Sequence, residues 1–284
     1  MLPLKLGQIH VSRIVELETP TSPRFLFTQM TPETMQPHLD WAAPHFYTPE
    51  TDRLVMSIQT FVVRTRHHTI LVDTCLGNDK PRSYPGWNLR QGPYLEDLRQ
   101  AGVTPEQVDY VLCTHLHVDH VGWNTRLQNG RWVPTFPRAK YVMARSELDF
   151  WSAGTEPESA QVFKDSVQPV LDAGQALPVD MNHVLDDEIQ LEPTPGHTPG
   201  HVSVHLTSGG REAVITGDMM HHPVQIAEPD WSSKYCTDPA QAARTRQSFC
   251  SRYSDRDVLI LGTHFAPPTA LRIVSRKGRW RPQI

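Results

Sequence analysis

The chain has 284 residues, of which 38 % are hydrophobic and 20 % are charged, a balance typical of a globular protein with a sizeable core. Its formal net charge of −4 gives no electrostatic footprint for nucleic acid. No apolar run approaches the roughly 20 residues that a membrane span needs, and the N-terminal segment is too short and too polar after Leu6 for a signal peptide. Four widely spaced cysteines without a Cys-x-x-Cys pair favour reduced, packed thiols over a disulfide framework. These features predict a cytoplasmic protein with no membrane or nucleic-acid partner.

The first predicted elements are a strand and a proline-rich segment. Residues 7–17 partly alternate apolar and polar side chains, which predicts a half-buried strand. Residues 19–53 contain six prolines, which forbid a long helix or a central strand. Aromatic side chains such as Phe25 and Trp41 leave two interpretations of this segment open. It is either a surface loop with a small apolar cluster of its own, or a lid or wall over a binding site or a dimer contact.

A hairpin and a helix lead to a buried strand. Residues 55–64 and 69–74 are rich in β-branched residues and predict a β-hairpin that turns near residues 66–68. The elements predicted next are a turn-rich segment over 75–92, a short helix over 93–101 closed by Gly102, a capped helix start over 104–107 and a strand over 108–114.

That strand runs into the pattern His-x-His-x-Asp-His at residues 115–120. In an extended chain, residues two apart point the same way, so His115 and His117 are predicted to converge on one metal ion. Asp119 and His120 come after the chain starts to turn and are predicted to point toward a second ion. Imidazole and carboxylate are ligands that zinc, iron, manganese and cobalt accept. The alternative is a His-rich surface loop or an accidental metal-binding patch.

Beyond the motif, strand and helix patterns alternate. The predicted strands are residues 131–133, 139–143, 189–194, 202–206, 213–216 and 258–261, of which the last is predicted to be the last buried strand. The predicted helices are residues 146–151, 159–173 and 238–252.

Three further segments carry candidate ligands. They are residues 194–201, which contain His197, residues 215–218, which end in Asp218, and residues 261–264, which end in His264. Because the candidates run from His115 to His264, a shared site predicts a single domain over residues 1–284 made of two interleaved halves. Together and in this order, the four segments resemble the metallo-β-lactamase superfamily along most of the chain. The resemblance implies an α/β (α+β) fold with a four-layer αβ/βα sandwich.

The resemblance also implies a dinuclear metal centre. One ion would be held by His115, His117 and His197, the other by Asp119, His120 and His264, and Asp218 would bridge both. Two ions about 3.5–4 Å apart share a hydroxide whose pKa falls towards 7, and this hydroxide would attack the carbonyl or phosphoryl group of the substrate. Zinc is the expected metal, with iron, manganese or cobalt as alternatives.

Several nearby residues have predicted roles besides metal binding. Asp119 and Asp218 are predicted to be catalytic as well as metal ligands. His221 is predicted to line the pocket and donate a proton; lactonase relatives often have a tyrosine there, so the general acid stays unassigned. His201 is predicted to support the site or the fold. Asp73 is either a support for the motif loop, as the resemblance implies, or a strand-end cap.

The spacing of His197, Asp218 and His264 and the Gly-Asp-x-x-His segment at 217–221 look most like the branch of quorum-quenching lactonases and methyl parathion hydrolases. Asp218 argues against true β-lactamases, and His117 argues against diiron flavoproteins. The short stretch after His264 argues against glyoxalase II relatives, and the acidic charge argues against RNA-processing members. Persulfide dioxygenases remain a minor alternative.

The predicted function is therefore hydrolysis of a lactone or related ester, extending to phosphotriesters. The predicted substrate pocket is apolar and is lined by Phe25, Trp41, Trp123, Phe150, Trp151, His221 and Phe265, although Phe150 and Trp151 are alternatively core residues. A small-molecule substrate is the expected partner, and a homodimer is a further expectation. A metal-dependent nuclease and a non-catalytic metal-binding protein remain alternatives.

Overall fold

The computed structural model describes residues 3–284; Met1 and Leu2, which begin the segment predicted not to be a signal peptide, lie outside the described residues. The strands are β1 (Leu4–Leu6), β2 (Ile9–Thr21), β3 (Tyr47–Thr48), β4 (Arg53–Arg64), β5 (Thr69–Val72), β6 (Tyr110–Leu112), β7 (Thr125–Gln128), β8 (Arg131–Pro134), β9 (Lys140–Ala144), β10 (Ala176–Val179), β11 (Ile189–Pro193), β12 (Val202–Ser208), β13 (Arg211–Ile215), β14 (Val258–Leu261), β15 (Ala270–Arg276) and β16 (Arg279–Gln283). The α-helices are α1 (Pro23–Leu26), α2 (Pro32–Met35), α3 (Leu39–Ala42), α4 (Tyr94–Gln100), α5 (Arg145–Ser152), α6 (Pro157–Val162), α7 (Gln168–Asp172), α8 (Val224–Ala227) and α9 (Pro239–Tyr253). Within residues 3–284, none of these helices has the length and apolar content that crossing a membrane requires.

The described chain divides into two compact units, and each unit takes two separate stretches of sequence. The first unit comprises residues 3–16 and Ile58–Met181, and the second comprises Leu17–Ser57 and Asn182–Ile284. The predicted interleaving of the chain is therefore present. That the two units make a single domain stays a prediction.

The sheet of the first unit positions the His-x-His-x-Asp-His motif. Its strands pair in the order β1-β2-β4-β5-β6-β9-β10. β4 and β5 form the predicted hairpin, and β5, β6, β9 and β10 run parallel to one another. Because parallel strands end at the same edge of a sheet, the residues after Val72, Leu112 and Ala144 are brought to one edge.

The sheet of the second unit has the order β11-β12-β13-β14-β15-β16. β13 and β14 are parallel, with Ile215 opposite Leu261, so the loops that carry Asp218 and His264 leave the same edge. Helix α9 begins as predicted, because the side chain of Asp238 accepts a hydrogen bond from the backbone N–H three residues later.

All four cysteines of the chain are free and buried, in agreement with the prediction of packed thiols.

The proline-rich segment 19–53 belongs to the core of the second unit. It forms three helices of four residues each and the short strand β3. Phe27 and Phe46 are fully buried and share one hydrophobic cluster with Val214 of β13 and Phe249 of α9. The interpretation as a loop with an apolar cluster of its own is therefore wrong, because these side chains pack into the same core as a strand and a helix of the second unit. The roles of lid, wall or dimer contact stay predictions.

The helix predicted over 159–173 is interrupted. A π-helical turn over Phe163–Val167 separates α6 from α7. The turn lies where Asp165 is fully buried and accepts two hydrogen bonds from the Arg82 guanidinium, at 2.7 and 2.9 Å. The capped helix start predicted over 104–107 is likewise only a single 3₁₀ turn, although its capping box is present.

Strand β14 is not the last buried strand, so the prediction for residues 258–261 is wrong on this point. β15 follows it, with Leu271 and Ile273 buried on one face. Arg272, which lies between them, is exposed. This alternation is the ordinary pattern of a half-buried strand.

Candidate metal centre

The first unit places His115 and His117 together directly after β6. His115 is fully buried and His117 is half-buried. Nε2 of His115 lies 2.9 Å from Nδ1 of His117, and the two ring centroids are 4.6 Å apart. Nδ1 of His115 lies 3.1 Å from the hydroxyl of Thr114, so Nε2 is the nitrogen directed at His117. The two imidazoles therefore converge, as their spacing predicts.

Asp119 and His120 form a second pair in the same loop. Nε2 of His120 lies 3.7 Å from Oδ1 of Asp119. Nδ1 of His120 lies 2.9 Å from Oδ2 of Asp73, a distance at which the ring N–H donates to the carboxylate. This bond places a proton on Nδ1 and directs Nε2 toward Asp119.

Asp73 supports the motif loop as well as His120. Its carboxylate accepts hydrogen bonds from the backbone N–H of Thr114, at 2.8 Å, and from the Thr114 hydroxyl, at 2.9 Å. Asp73 has a φ of 57°, in the left-handed region that aspartate tolerates better than most residues. Its position follows from the parallel pairing of β5 and β6, which ends both strands at the same edge. Of the two roles predicted for Asp73, the contacts match a support for the loop.

An acidic residue that the sequence analysis missed holds the other side of this loop. Glu147, in the first turn of α5, accepts a hydrogen bond from the backbone N–H of Leu116 at 3.1 Å. The same oxygen accepts from the indole N–H of Trp151 at 2.5 Å, and the Trp151 ring lies 5.1 Å from the ring of His117. Trp151 thus forms an aromatic wall beside a candidate ligand, and Phe150 packs on it with 38 % of its surface exposed. No local pattern in the sequence indicates this support, because Leu116 and Glu147 lie 31 residues apart.

The second unit gathers its candidate ligands around Asp218. Nε2 of His264 lies 3.0 Å from Oδ1 of Asp218, and Nε2 of His197 lies 3.4 Å from Oδ2. The two carboxylate oxygens therefore face different histidines. All three side chains are at least 95 % buried, so their mutual interactions are little screened by water.

Further hydrogen bonds orient these side chains. Nδ1 of His264 lies 2.8 Å from the carbonyl oxygen of Ser57, to which it donates. The backbone N–H of Asp218 donates to Nε2 of His201 at 2.9 Å, and Nδ1 of His201 lies 2.8 Å from the hydroxyl of Thr194. Because both ring nitrogens of His201 are engaged, it supports the loop rather than offering a ligand atom, in agreement with its predicted role.

The His197 loop lies tightly on the start of α9, and a glycine makes this possible. Gly196 has a φ of 129°, and a Cβ atom there would lie 2.3 Å from the backbone nitrogen of Ala242. The Gly196 carbonyl accepts a hydrogen bond from the N–H of Asp238, the N-cap of α9. The loop is therefore fixed to the helix next to its candidate ligand.

His221 lies beside Asp218, where the sequence predicts a proton donor. Its Nε2 is 3.2 Å from Oδ2 of Asp218, and its backbone N–H donates to the side chain of Gln225 at 2.7 Å. Its ring lies 4.9 Å from that of His197 and stacks on that of His264 at 5.8 Å. Among the described residues, Nδ1 of His221 is buried without a hydrogen-bond partner. Its role as acid stays a prediction.

Trp123, a predicted pocket residue, is engaged inside the first unit. Its indole N–H donates to Glu16 at 2.7 Å, and its ring stacks on Tyr94 at 5.0 Å. Glu16 also accepts from the backbone N–H groups of Leu76 and Gly77. Burial raises the pKa of Glu16 above its ordinary value in spite of these donors. The structure therefore gives Trp123 a packing role, and its contribution to a pocket stays a prediction.

The remaining predicted pocket residues belong to the second unit. Trp41 and Phe265 are buried in its core, where Phe265 packs on Phe46 with ring centroids 6.4 Å apart. Phe25 is half-buried and packs on Tyr235 at 5.4 Å. These contacts do not test whether any of the three binds substrate.

The first unit also contains a buried cluster of charged side chains that was not predicted from the sequence. Arg82 and Lys80 both contact the buried carboxylate of Asp165, and the Lys80 ammonium lies 3.8 Å from the ring centre of Trp132. Burial acts to raise the pKa of Asp165, but the hydrogen bonds and charges of its two partners outweigh burial and hold that pKa below its ordinary value. Since Arg82 already balances the carboxylate, Lys80 is a surplus buried cation, and burial lowers its pKa to about 7.

The candidate ligand atoms in each of the two units are of the types that bind metal ions. All seven predicted ligands belong to groups of His and Asp side chains that could hold one. Neutral imidazole nitrogens and carboxylate oxygens are the ligands of zinc and of several other divalent ions. The bonds from Nδ1 of His120 and His264 to oxygen atoms match the usual support of a metal-binding histidine.

Comparison with known proteins shows the family to which this fold is similar. The family model described as "Metallo-beta-lactamase superfamily" matches residues 54–266. A hydroxyacylglutathione hydrolase of Mesorhizobium japonicum is 29 % identical over 168 residues, which cover 59 % of this chain and 53 % of that protein. An N-acyl homoserine lactonase of Bacillus cereus is 25 % identical over 166 residues, which cover 53 % of this chain and 58 % of that protein. The chain thus spans little more than half the length of these curated relatives.

A solved structure is similar along nearly the whole chain. It is that of AidC, described as a dizinc quorum-quenching lactonase in complex with a product. It matches with a TM-score of 0.81 and 21 % identity over 99 % of this chain and 95 % of that chain. At this level of identity the likeness shows a shared fold.

Proposed function

Because this chain belongs to the metallo-β-lactamase superfamily, we propose that it is a dinuclear metal-dependent hydrolase that acts on lactones or related esters. The predictions of this superfamily and of its mixed α/β fold are confirmed by the family match and the likeness in fold. One observation carries the proposal. Asp218 turns one carboxylate oxygen to His264, at 3.0 Å, and the other to His197, at 3.4 Å. A carboxylate held in this way would be able to serve as a ligand for two ions.

The proposed ligands are divided between two ions. His115, His117 and His197 would hold one ion, Asp119, His120 and His264 would hold the other, and Asp218 would bind both. Zinc suits these donors, and the description of AidC as a dizinc lactonase supports zinc here. When bound, the two ions would lower the pKa of a nucleophilic water towards neutrality and polarise the carbonyl oxygen of the substrate.

The residues of the chain have separate tasks in this proposal. Asp218 is held in place by its backbone N–H bond to His201. His221, with Nε2 at 3.2 Å from Asp218, carries a proton that it delivers to the leaving-group oxygen. Asp119 would contribute to the reaction as a ligand of one ion. The ring of Trp151 beside His117 excludes water and offers an apolar surface.

The substrate class is proposed from the relatives and from aromatic side chains near the ligands. The Bacillus cereus relative is an N-acyl homoserine lactonase, and AidC is described with the product N-hexnoyl-L-homoserine. Trp151 lies beside His117, and the ring centroids of Phe27 and His221 lie 6.4 Å apart. Such rings suit an acyl chain or an aryl group. Phosphotriesters are a further proposed substrate.

Two other predictions also become proposals. A reducing, cytoplasmic location is supported by four cysteines that are all free and buried. A homodimer remains an expectation from the aromatic segment 19–53.

The test is a substrate panel on zinc- and manganese-loaded protein. The panel contains N-acyl homoserine lactones, aryl esters, a paraoxon-type triester, S-lactoylglutathione and single-stranded RNA. We expect lactone or ester turnover that falls about 100-fold or more in Asp218→Asn, since partners one layer further out typically cost 10–100-fold. The exposed Asp172→Asn is the matched control and should retain wild-type turnover.

The outcomes separate the alternatives. No turnover of any lactone or ester would overturn the substrate proposal. Turnover that survives in Asp218→Asn would overturn the proposed site. Cleavage of RNA alone would favour the nuclease, and full metal occupancy without any activity would favour a non-catalytic metal-binding protein.

A further inference from the structure

Cys236 contacts the candidate ligand His197. The sulfur of Cys236 lies 3.7 Å from Nδ1 of His197, and the Cys236 side chain is almost fully buried. The backbone holds the two together, because the N–H of Thr237 donates to the His197 carbonyl at 2.8 Å and the N–H of Asp238 donates to the Gly196 carbonyl at 2.9 Å. The thiol is therefore presented to the ring by two neighbouring hydrogen bonds.

The two ring nitrogens of His197 face different partners, and this determines what the contact with Cys236 can do. Nε2 of His197 faces Oδ2 of Asp218 at 3.4 Å, and Nδ1 faces Cys236. A histidine that binds a metal ion through Nε2 carries its proton on Nδ1 and needs an acceptor there. A thiol sulfur is a weak acceptor, but it is the side-chain atom in place.

Other candidate ligands in this chain show the same division of ring nitrogens. Nδ1 of His115, His120 and His264 lies 3.1, 2.9 and 2.8 Å from an oxygen atom of a neighbouring residue. At His197 the corresponding atom is the sulfur of Cys236. No sequence pattern indicates this pairing, because 39 residues separate the two side chains.

A buried arginine holds the segment that precedes Cys236. Arg246 of α9 is fully buried, and its guanidinium donates to the carbonyl oxygens of Pro229 and Met219 and to the hydroxyl of Ser232, at 2.7, 3.3 and 2.6 Å. Arg246 therefore fixes the backbone at Met219, next to Asp218, and also the segment at Pro229 and Ser232 that precedes Cys236.

We propose that Cys236 is a positioning residue for His197, with its sulfur accepting the Nδ1–H of the ring and Arg246 holding the segment before Cys236 in place. The inference rests on the proposed role of His197 as a metal ligand. It adds that the orientation of His197, and hence the affinity for the ion that His197 holds, depends on a thiol outside the ligand set.

The test compares Cys236→Ala and Cys236→Ser with the wild type in metal titrations and in the visible absorption spectrum of the cobalt-substituted protein. Cys236→Ala removes the acceptor, so we expect affinity for one of the two ions to fall about 10–100-fold and the cobalt spectrum to change. Cys236→Ser keeps an acceptor atom and should recover most of the lost affinity.

Cys250→Ser is the matched control, because it places a hydroxyl at another buried cysteine of the second unit. It should lower the stability without changing the metal affinity or the spectrum. Wild-type affinity and spectrum in Cys236→Ala would overturn the inference while leaving the proposed function intact. Failure of the wild type to bind metal would overturn the proposed function, and the inference with it.

Discussion

Lowering the pH from 7 to 4 should weaken the fold through one buried histidine, His222. Its Nε2–H donates to the carbonyl oxygen of Phe46 at 2.9 Å, and its Nδ1 accepts from the backbone N–H of Val224 at 3.1 Å. Both bonds need the neutral ring, because a proton on Nδ1 would face another N–H donor. Burial lowers the pKa of His222 to about 4.

The size of the effect follows from the two pKa values. The ordinary pKa of histidine is 6.5, so between pH 6.5 and 4 the unfolded chain binds a proton that the folded chain does not. Stability due to the neutral ring is therefore fully present above pH 6.5 and is lost as the pH falls through the folded pKa. At pH 4 the loss amounts to about 3 kcal/mol, with each pKa unit contributing 1.36 kcal/mol.

The assay is urea unfolding of the metal-free protein at pH 7, 6, 5 and 4. The variant is His222→Asn, whose side-chain oxygen still accepts from Val224 but does not titrate. The difference in unfolding free energy between wild type and variant should shrink by about 3 kcal/mol from pH 7 to 4. His67→Gln, in the exposed turn between β4 and β5, is the control and should follow the wild type at every pH. A wild-type-to-His222→Asn difference that stays constant with pH would refute the reasoning.

Three further predictions concern supports of the site and of the fold. Asp73→Asn should lower metal affinity about 10–100-fold, because it removes the charged acceptor of the His120 ring; calorimetric titration with zinc checks this, and unchanged affinity would contradict it. Lys80→Met removes a buried cation. Burial lowers the pKa of Lys80 from its ordinary 10.5 to about 7 in the folded protein. The destabilisation caused by Lys80 is therefore greatest below pH 7 and is lost as the pH rises from 7 to 10.5. The unfolding free energy of the wild type should therefore rise relative to Lys80→Met between pH 7 and 10, and a constant difference would count against the effect. Gly196→Ala should cost about 2 kcal/mol or more in thermal unfolding, because its Cβ would lie 2.3 Å from the backbone of α9, whereas Gly130→Ala meets no atom within 4 Å and should cost less.

The candidate ligands could be predicted from sequence because each follows an apolar strand. His115 comes after β6 in one sheet and Asp218 after β13 in the other, and within each sheet parallel pairing places the residues that follow neighbouring strands at one edge. The local spacing of His115 and His117 was also sufficient to predict that their rings meet.

The supports of these ligands could not be predicted in the same way. Glu147 binds the N–H of Leu116 across 31 residues, and Cys236 meets His197 across 39. Such pairs are created by tertiary packing and leave no periodic signal in the chain.

The same limit explains the errors in secondary structure. The π-helical turn around Asp165 coincides with its pairing to Arg82, 83 residues earlier, whereas the apolar stripe of that segment indicates only a helix. The burial of Phe27 and Phe46 is likewise decided by strands and a helix far along the chain. β15 is different, because Leu271 and Ile273 alternate with polar residues and a strand could have been predicted there.

The most direct test of the account is the metal content per folded chain, measured by elemental mass spectrometry on wild type and Asp218→Asn after zinc loading and removal of loose metal. The account predicts about two ions per wild-type chain and a clear loss in the variant, because Asp218 is proposed to bind both ions. A wild-type protein that retains only a trace of metal, or an Asp218→Asn protein that retains as much as the wild type, would contradict it.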